Sequence, residues 1–530
     1  MKKIKLCAIL AGLLCATIWT VACTDKPDVN PETTADVTAD MTAEVTEPAA
    51  EEKTEGITEA LTEEETTEAE TECHLLFEDN FDGAELDATK WVVGTPENQT
   101  KKNGDVALWD AGMVELDANG HLLLKMEWDA EAKKARTGAV TTKGLFEAGY
   151  GYYEVSMKLP LAYARTCTFA LYAGNTRINA LSSICNAQEG GGVTYLQGPD
   201  GHETDTLHSA FINLYDGRFH TVGVLRNEEG YTFFIDGKET AKTADTSDKT
   251  GYLALFWEAP KIHGAGRNES SNSTPAEMVI DCVRIYSSLP ETLGKAEASQ
   301  AQLVFNDDFD GNEIDNTKWT RCPEWTRNDL MYWKDEMTQV DGEGHLVIRM
   351  EYDEEKNMIR GGGAWTASTF NYGYGYYEAN LKLPDVYGAW GAFWMMCGDV
   401  WKESAKDGVE IDIIESTVGG EWGHALHSNY GNLNSLGNPT MVSADTSDGQ
   451  FHTFGVLRAE NGYFFYIDGM LSAIVPAYRY EPCPVIGRMK LTVEAAGWSG
   501  GGTPESFASL PAEMVVDYVR VYDTMPELNP

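Results

Sequence analysis

The chain has 530 residues, 84 of them acidic against 40 basic, a formal net charge of −44. Such a field repels nucleic acid and anionic membrane surfaces. It also makes a sulfated or uronic-acid polymer a less natural substrate, unless a local basic patch overrides the average.

From the N-terminus, Lys2, Lys3 and Lys5 precede a short apolar run, 7-CAILAGLLCATIW-19. A positive start and an apolar core too short for a comfortable bilayer span predict an export signal over residues 1–23. The run 20-TVAC-23 resembles a bacterial lipoprotein box, although Thr20 stands where Leu is usual. Cys23 is then expected to be the lipid anchor, tethering the protein to the outer face of the cytoplasmic membrane. An ordinary secretory signal is the alternative. Residues 24–73 hold 17 acids and two lysines among Thr and Ala. This composition cannot bury enough apolar surface to fold, and its like charges extend it, so a disordered stalk is expected. The seven cysteines after the signal form no CxxC pair for metal or redox work.

Beyond the stalk the sequence repeats itself. "FDGAELDATKW" (81–91) returns as "FDGNEIDNTKW" (309–319), and "GYGYYEVSMKLP" (149–160) as "GYGYYEANLKLP" (373–384). "DGRFHTVGVLR" (216–226) returns as "DGQFHTFGVLR" (448–458), and "PAEMVIDCVRIY" (275–286) as "PAEMVVDYVRVY" (511–522). Preserved order and spacing predict two copies of one domain, at 74–288 and 302–530, joined by a linker at 289–301. Runs such as "HLVIRMEY" and "FHTFGVLR" alternate apolar and polar residues between Gly-, Asp- and Asn-rich turns. An all-β fold follows: two tandem antiparallel β-sandwiches of jelly-roll type.

In the second copy, 408-GVEIDIIESTVGG-420 places three acids in a strand rich in Ile and Val. Glu410 and Asp412 share a face because a strand repeats every two residues. Glu415 joins them only if a β-bulge at Ile413–Ile414 adds one residue. Crowded carboxylates repel and strands are poor in acids, so a solvated acidic face is the weaker reading. Two carboxyls about 5–5.5 Å apart suit a retaining glycosidase, and Asp412 between them would hold their proton affinities apart.

The "EIDIIE" strand (410–415) resembles the signature of glycoside hydrolase family sixteen, laminarinase-like, with a concanavalin A-like jelly roll. "FNDDFDGNEIDNTKW", "WGAFW", "FFYIDG" and "VDYVRVY" extend the resemblance along the copy. The resemblance implies an endo-acting, retaining glucanase with Glu410 as nucleophile, Asp412 assisting and Glu415 as general acid/base. It implies substrate contacts from Asn328, Trp390, Trp394, His427 and Trp498. No cofactor is required; a structural calcium ion would draw on Asp308 and Asp517. A β-1,3- or mixed β-1,3/1,4-glucan is the expected partner, with the protein a monomer. The approach "WKESAKDGVEID" departs from the family's usual "GEID" with a nearby Trp, which leaves galactan cleavage, transglycosylation and a non-catalytic lectin as alternatives.

The first copy has no Asp or Glu between Glu154 and Glu189. Alignment sets Gly104, Thr166 and Ala170 where Asn328, Trp390 and Trp394 stand, and Leu181, Ser183 and Asn186 in place of the three acids. Without a carboxylate pair, this copy is expected to be catalytically inactive.

Overall fold

A computed structural model describes residues 72–528, except 95–106, 133, 161–165, 185–191, 198–202, 210–212, 245–247, 259–274, 367, 418–422, 431–439, 442–445 and 478. The expected signal, Cys23 and nearly all of the stalk lie outside the described residues, as do Gly104 and Asn186. Among the described residues, no helix is long and apolar enough to cross a membrane.

Thr71–Pro530 forms one compact unit built almost wholly of antiparallel strands. Its second half has two facing sheets. The cleft sheet runs Thr320–Arg321, Gly363–Trp365, Gly487–Glu494, Trp390–Gly398, Gly408–Thr417, Gly423–His427, Thr440–Met441. The back sheet is centred on Ala512–Tyr522, flanked by Leu346–Asp353 and Gly375–Lys382. Between them Phe393, Met395, Ile411 and Leu491 of the cleft sheet pack on Leu346, Tyr377, Val516 and Val519 of the back sheet. Each such side chain, fully buried, contributes roughly 1.5–3 kcal/mol. The first half has the same strand order in both of its sheets, from Thr166–Ala173 between Gly251–Glu258 and Thr176–Ile184 to a central Ala276–Tyr286.

The repeated motifs prove to be turn and corner devices. In "FDG…TKW", Trp319 Nε1 donates to Asp307 at 2.7 Å and Trp91 Nε1 to Asp79 at 2.7 Å. In "DGxFH", His452 lies between Asp448 and Asp468, and His220 between Asp216 and Asp236. Recurrence of these blocks therefore follows from the fold rather than from the chemistry.

The expected linker is bonded along its length. Gly294 N donates to Glu154 at 3.0 Å, Thr221 Oγ1 to Lys295 O at 3.1 Å, and Ser299 Oγ to Met525 O at 2.5 Å. One hydrophobic cluster spans both halves, joining Leu457, Phe464, Tyr466 and Met525 to Leu214, Tyr215 and Val222. Asn213 Nδ2 donates to Tyr466 Oη and Asn461 Nδ2 to Tyr215 O across the same seam.

Candidate active site

The acidic strand, Gly408–Thr417, pairs with Trp390–Gly398 in a register that breaks once. Glu410 lies opposite Met396 and Asp412 opposite Trp394; Ile414 then lies opposite Phe393 and Glu415 opposite Ala392. Ile413 is the extra residue, so the bulge stands where the acid spacing requires it. Val409, Ile411, Ile413 and Ile414 all enter the core, which leaves Glu410, Asp412 and Glu415 on the opposite face. An unbroken pleat would have driven Glu415 into that core, at a cost of several kcal/mol for an unpaired carboxyl. The bulge has its own support. His424 Nδ1 donates to Ile413 O, and Nε2 accepts from Ser472 Oγ at 2.9 Å. Burial pulls His424 down to about 4, so the ring stays neutral and holds that pattern.

Glu410 and Glu415 pair with residues four apart on the neighbouring strand, about 13 Å between Cα positions. Asp412 lies between them, 2% exposed. His427 Nε2 is 3.1 Å from Asp412 Oδ2. Burial, and the charge of Asp412 beside it, push Glu410 up to about 7; Tyr430, His427 and Lys490 restrain the rise. Burial again, with the charges of Asp412, Glu410 and Glu494, pushes Glu415 higher, to about 9. Two carboxyls on one strand thus have separated proton affinities, with the proton favouring Glu415. His427 is raised, chiefly by its bond to Asp412. Glu410, Asp412 and His427 each offer a ligand atom, all within 4.8 Å of one another. Among the described residues this is the group of three that could hold a divalent ion. Asp308 and Asp517 belong to no such group. Asp308 is bonded to Arg520 at 3.1 Å and accepts from Asn306. Asp517 is the bulge residue between Val516 and Tyr518 on the back sheet.

The other expected contacts divide. Trp390 and Trp394 alternate with the core residues Phe393 and Met395 and so share the acids' face. Trp394 Nε1 donates to Thr492 at 3.1 Å, and Lys490 Nζ sits 3.7 Å over its ring. Asn328 secures a loop: Nδ2 donates to Ala495 O, while Oδ1 accepts from Leu330 and Met331 N. One amide hydrogen remains for a ligand. Trp498 lies on the turn Gly497–Ser499.

Several neighbours of the acids escaped the sequence reading. Arg327 Nε bonds Glu494 Oε2 at 2.8 Å on the cleft floor. Tyr430 bonds Glu410, and Trp401, 67% exposed, packs edge-on against Tyr430 at 5.6 Å. Arg488, Lys490, Thr492 and Glu494 alternate along "RMKLTVE" opposite Met396, Trp394, Ala392 and Trp390. That polar alternation was the available signal.

The first half shows the corresponding strand in a different register from the one expected. Arg177, Asn179 and Ser182 lie opposite Tyr172, Ala170 and Thr168, the counterparts of Met396, Trp394 and Ala392. They, and not Leu181, Ser183 and Asn186, occupy the three acid positions. A two-residue turn, Gly174–Asn175, closes this hairpin where residues 399–407 form a loop in the second half. The gap therefore falls at the turn, and the expected alignment made it too short, which displaced all three positions by four residues. Ala180 is the bulge residue here, so the break in register persists without any carboxylate. Thr166 and Ala170 do replace Trp390 and Trp394. Arg177 makes a two-pronged ion pair with Glu258, the counterpart of Glu494, at 3.1 and 2.8 Å. Ala139, Ala170, Ala254 and Phe256 close into a small apolar cluster beside it.

Residues 300–524 match the family model described as Beta-porphyranase A-D, GH16 domain. The second half is similar to GH16 domains along that span. The chain is 32% identical over 179 residues to the endo-1,3-1,4-beta-glycanase ExsH of Rhizobium meliloti, across 32% of this chain and 34% of that protein. It is 26% identical over 246 residues to a keratan-sulfate endo-1,4-beta-galactosidase of Sphingobacterium multivorum, across 42% of this chain and 55% of that one. It thus spans about a third of ExsH and just over half of the galactosidase. A solved structure of SCLam, a non-specific endo-beta-1,3(4)-glucanase from family GH16, aligns at 28% identity and TM-score 0.37, over 43% of this chain and 92% of that one.

Proposed function

We propose that the second half hydrolyses internal bonds of a β-linked polysaccharide with retention of configuration, and that its backbone preference is a β-1,3- or mixed β-1,3/1,4-glucan. The supporting observation is the bulged strand that sets Glu410 and Glu415 on one face with the proton favouring Glu415. In this reading Glu410 attacks the anomeric carbon and forms a glycosyl ester, while Glu415 gives its proton to the departing oxygen. Water then attacks the ester, Glu415 takes the water's proton, and Glu410 leaves. Asp412 and His427 hold Glu410 in place between the two steps. Trp390 and Trp394 offer ring faces to sugar. A galactan backbone is the second reading, favoured by the porphyranase family model and by the keratan-sulfate galactosidase among the relatives.

The first half acts, in this proposal, as a non-catalytic partner, since Arg177, Asn179 and Ser182 supply neither nucleophile nor acid. Cys23 is proposed as a lipid anchor at the cell surface, with a monomeric enzyme body. Reducing-end release from laminarin, lichenan and galactans tests the hydrolase. Activity lost in Glu410→Gln is expected; undiminished turnover in that variant would remove Glu410 from the mechanism.

A further inference from the structure

Two equivalent hairpins differ on one face. In the first half, Gly230–Ile235 pairs with Lys238–Thr243; in the second, Gly462–Ile467 pairs with Met470–Pro476. Tyr231, Phe233 and Ile235 enter the core of the first half, and Tyr463, Phe465 and Ile467 that of the second. The residues between them therefore face outward from each sandwich. In the first half this outer face sets Thr232 against Lys242 and Phe234 against Glu239, with Lys242 and Glu239 exposed. In the second it sets Phe464 against Ile474 and Tyr466 against Leu471, all four buried. These four do not join the core of their own half; they belong to the hydrophobic cluster of the first.

The facing surface differs in the reverse sense. Leu214 and Tyr215 of that cluster precede "DGRFH" (216–220), whereas Thr446 and Ser447 precede "DGQFH" (448–452). Beyond the last strand, Met525 is buried in the seam at 4% exposure; Leu289, which likewise precedes a proline after the last strand of the first half, is 40% exposed. Apolar side chains are thus concentrated on the one surface of each half that meets the other. A head-to-tail contact between like domains would continue from chain to chain if both outer surfaces were apolar. Thr232, Glu239 and Lys242 end it at two.

We propose that the first half serves as a fixed cover for the back sheet of the second, and that the two halves fold and melt as one unit. This inference rests on the reading of the first half as a non-catalytic partner and says what that partner does. Without the cover, Phe464, Leu471 and Ile474 would form an exposed apolar patch beside the Tyr466 ring, a surface that favours aggregation. The cover lies on the back sheet, whereas the three acids lie on the facing sheet, so it supports the cleft without entering it.

The test is scanning calorimetry of the full chain. The parent should melt in a single cooperative transition. Phe464→Thr, Leu471→Glu and Ile474→Lys together give the second half the residues that the first carries in the same register, so the hairpin itself tolerates them. The triple variant should melt in two steps, the lower about 10 °C or more below the parent. Leu471→Glu or Ile474→Lys alone should lower the transition by less, which keeps the test open if the triple variant does not fold. Leu214→Thr with Tyr215→Ser, changed from the facing side, should split the transition in the same way. Met470→Lys also copies the first half, at Lys238, but Met470 is 44% exposed; it should shift melting by no more than about 2 °C. Two independent transitions in the parent, an unshifted single transition in the seam variants, or an equal loss in Met470→Lys would overturn the cover. Reducing-end release by the Glu410→Gln chain separates the two readings. Cleavage that persists there would revoke the non-catalytic reading and leave the melting result intact; two transitions in the parent would revoke the cover alone.

Discussion

Replacing Glu415 with Gln should stabilise the protein at alkaline pH while stopping catalysis. Burial and three neighbouring carboxyls hold the Glu415 proton to about 9, against 4.5 for an ordinary Glu. For an acid raised in the folded state, both states are protonated below about pH 4, and no penalty exists. As pH rises from there towards 9, the unfolded chain releases this proton and the folded chain does not, so folding stability falls. An isolated group with this shift would cost up to about 5 kcal/mol at pH 8. Glu410, Asp412 and Glu494 share the titration, which reduces the expected gain from Gln to roughly 1–3 kcal/mol. Gln has nearly the same shape and no charge, so at pH 4.5 the variant should match the parent. Thermal or urea unfolding at pH 4.5, 6 and 8 measures the difference. A gain that does not grow with pH, or a variant less stable than the parent at pH 8, would refute the argument that repulsion and burial dominate this strand.

The same affinities set the pH profile of kcat/KM: activity should rise as Glu410 ionises near 7 and fall as Glu415 deprotonates near 9. A profile flat across that range would remove this pair as nucleophile and acid. At the N-terminus, Cys23→Ser should move the protein from the membrane fraction to the soluble fraction of cells; continued membrane retention would count against lipidation.

Sequence pattern reached the β-sandwich and the acid strand because both depend on alternation. A bulge at Ile413–Ile414 could be assigned because Glu415 otherwise falls in the core, and the strand register then singles out Ile413. His424, which secures that bulge through Ile413 O, was hidden because its role depends on a strand paired from outside the motif. Arg327 and Glu494 meet across 167 residues, and no local pattern marks such a pair. The first half's register was missed for a related reason: the length of a gap at a turn is open until partner strands fix which residue faces which. Asn328 was expected at the substrate through the family resemblance, but its amide is largely spent on the loop itself.

Arg177 makes the floor of the first half depend on its own ion pair. A carboxylate in place of Arg177 would take from Glu258 its cation and set two acids facing each other. Bringing in a second carboxylate at Ser182 would add a third charge to the same floor. Phe256 and its alanine neighbours would still form an apolar cluster beside those charges.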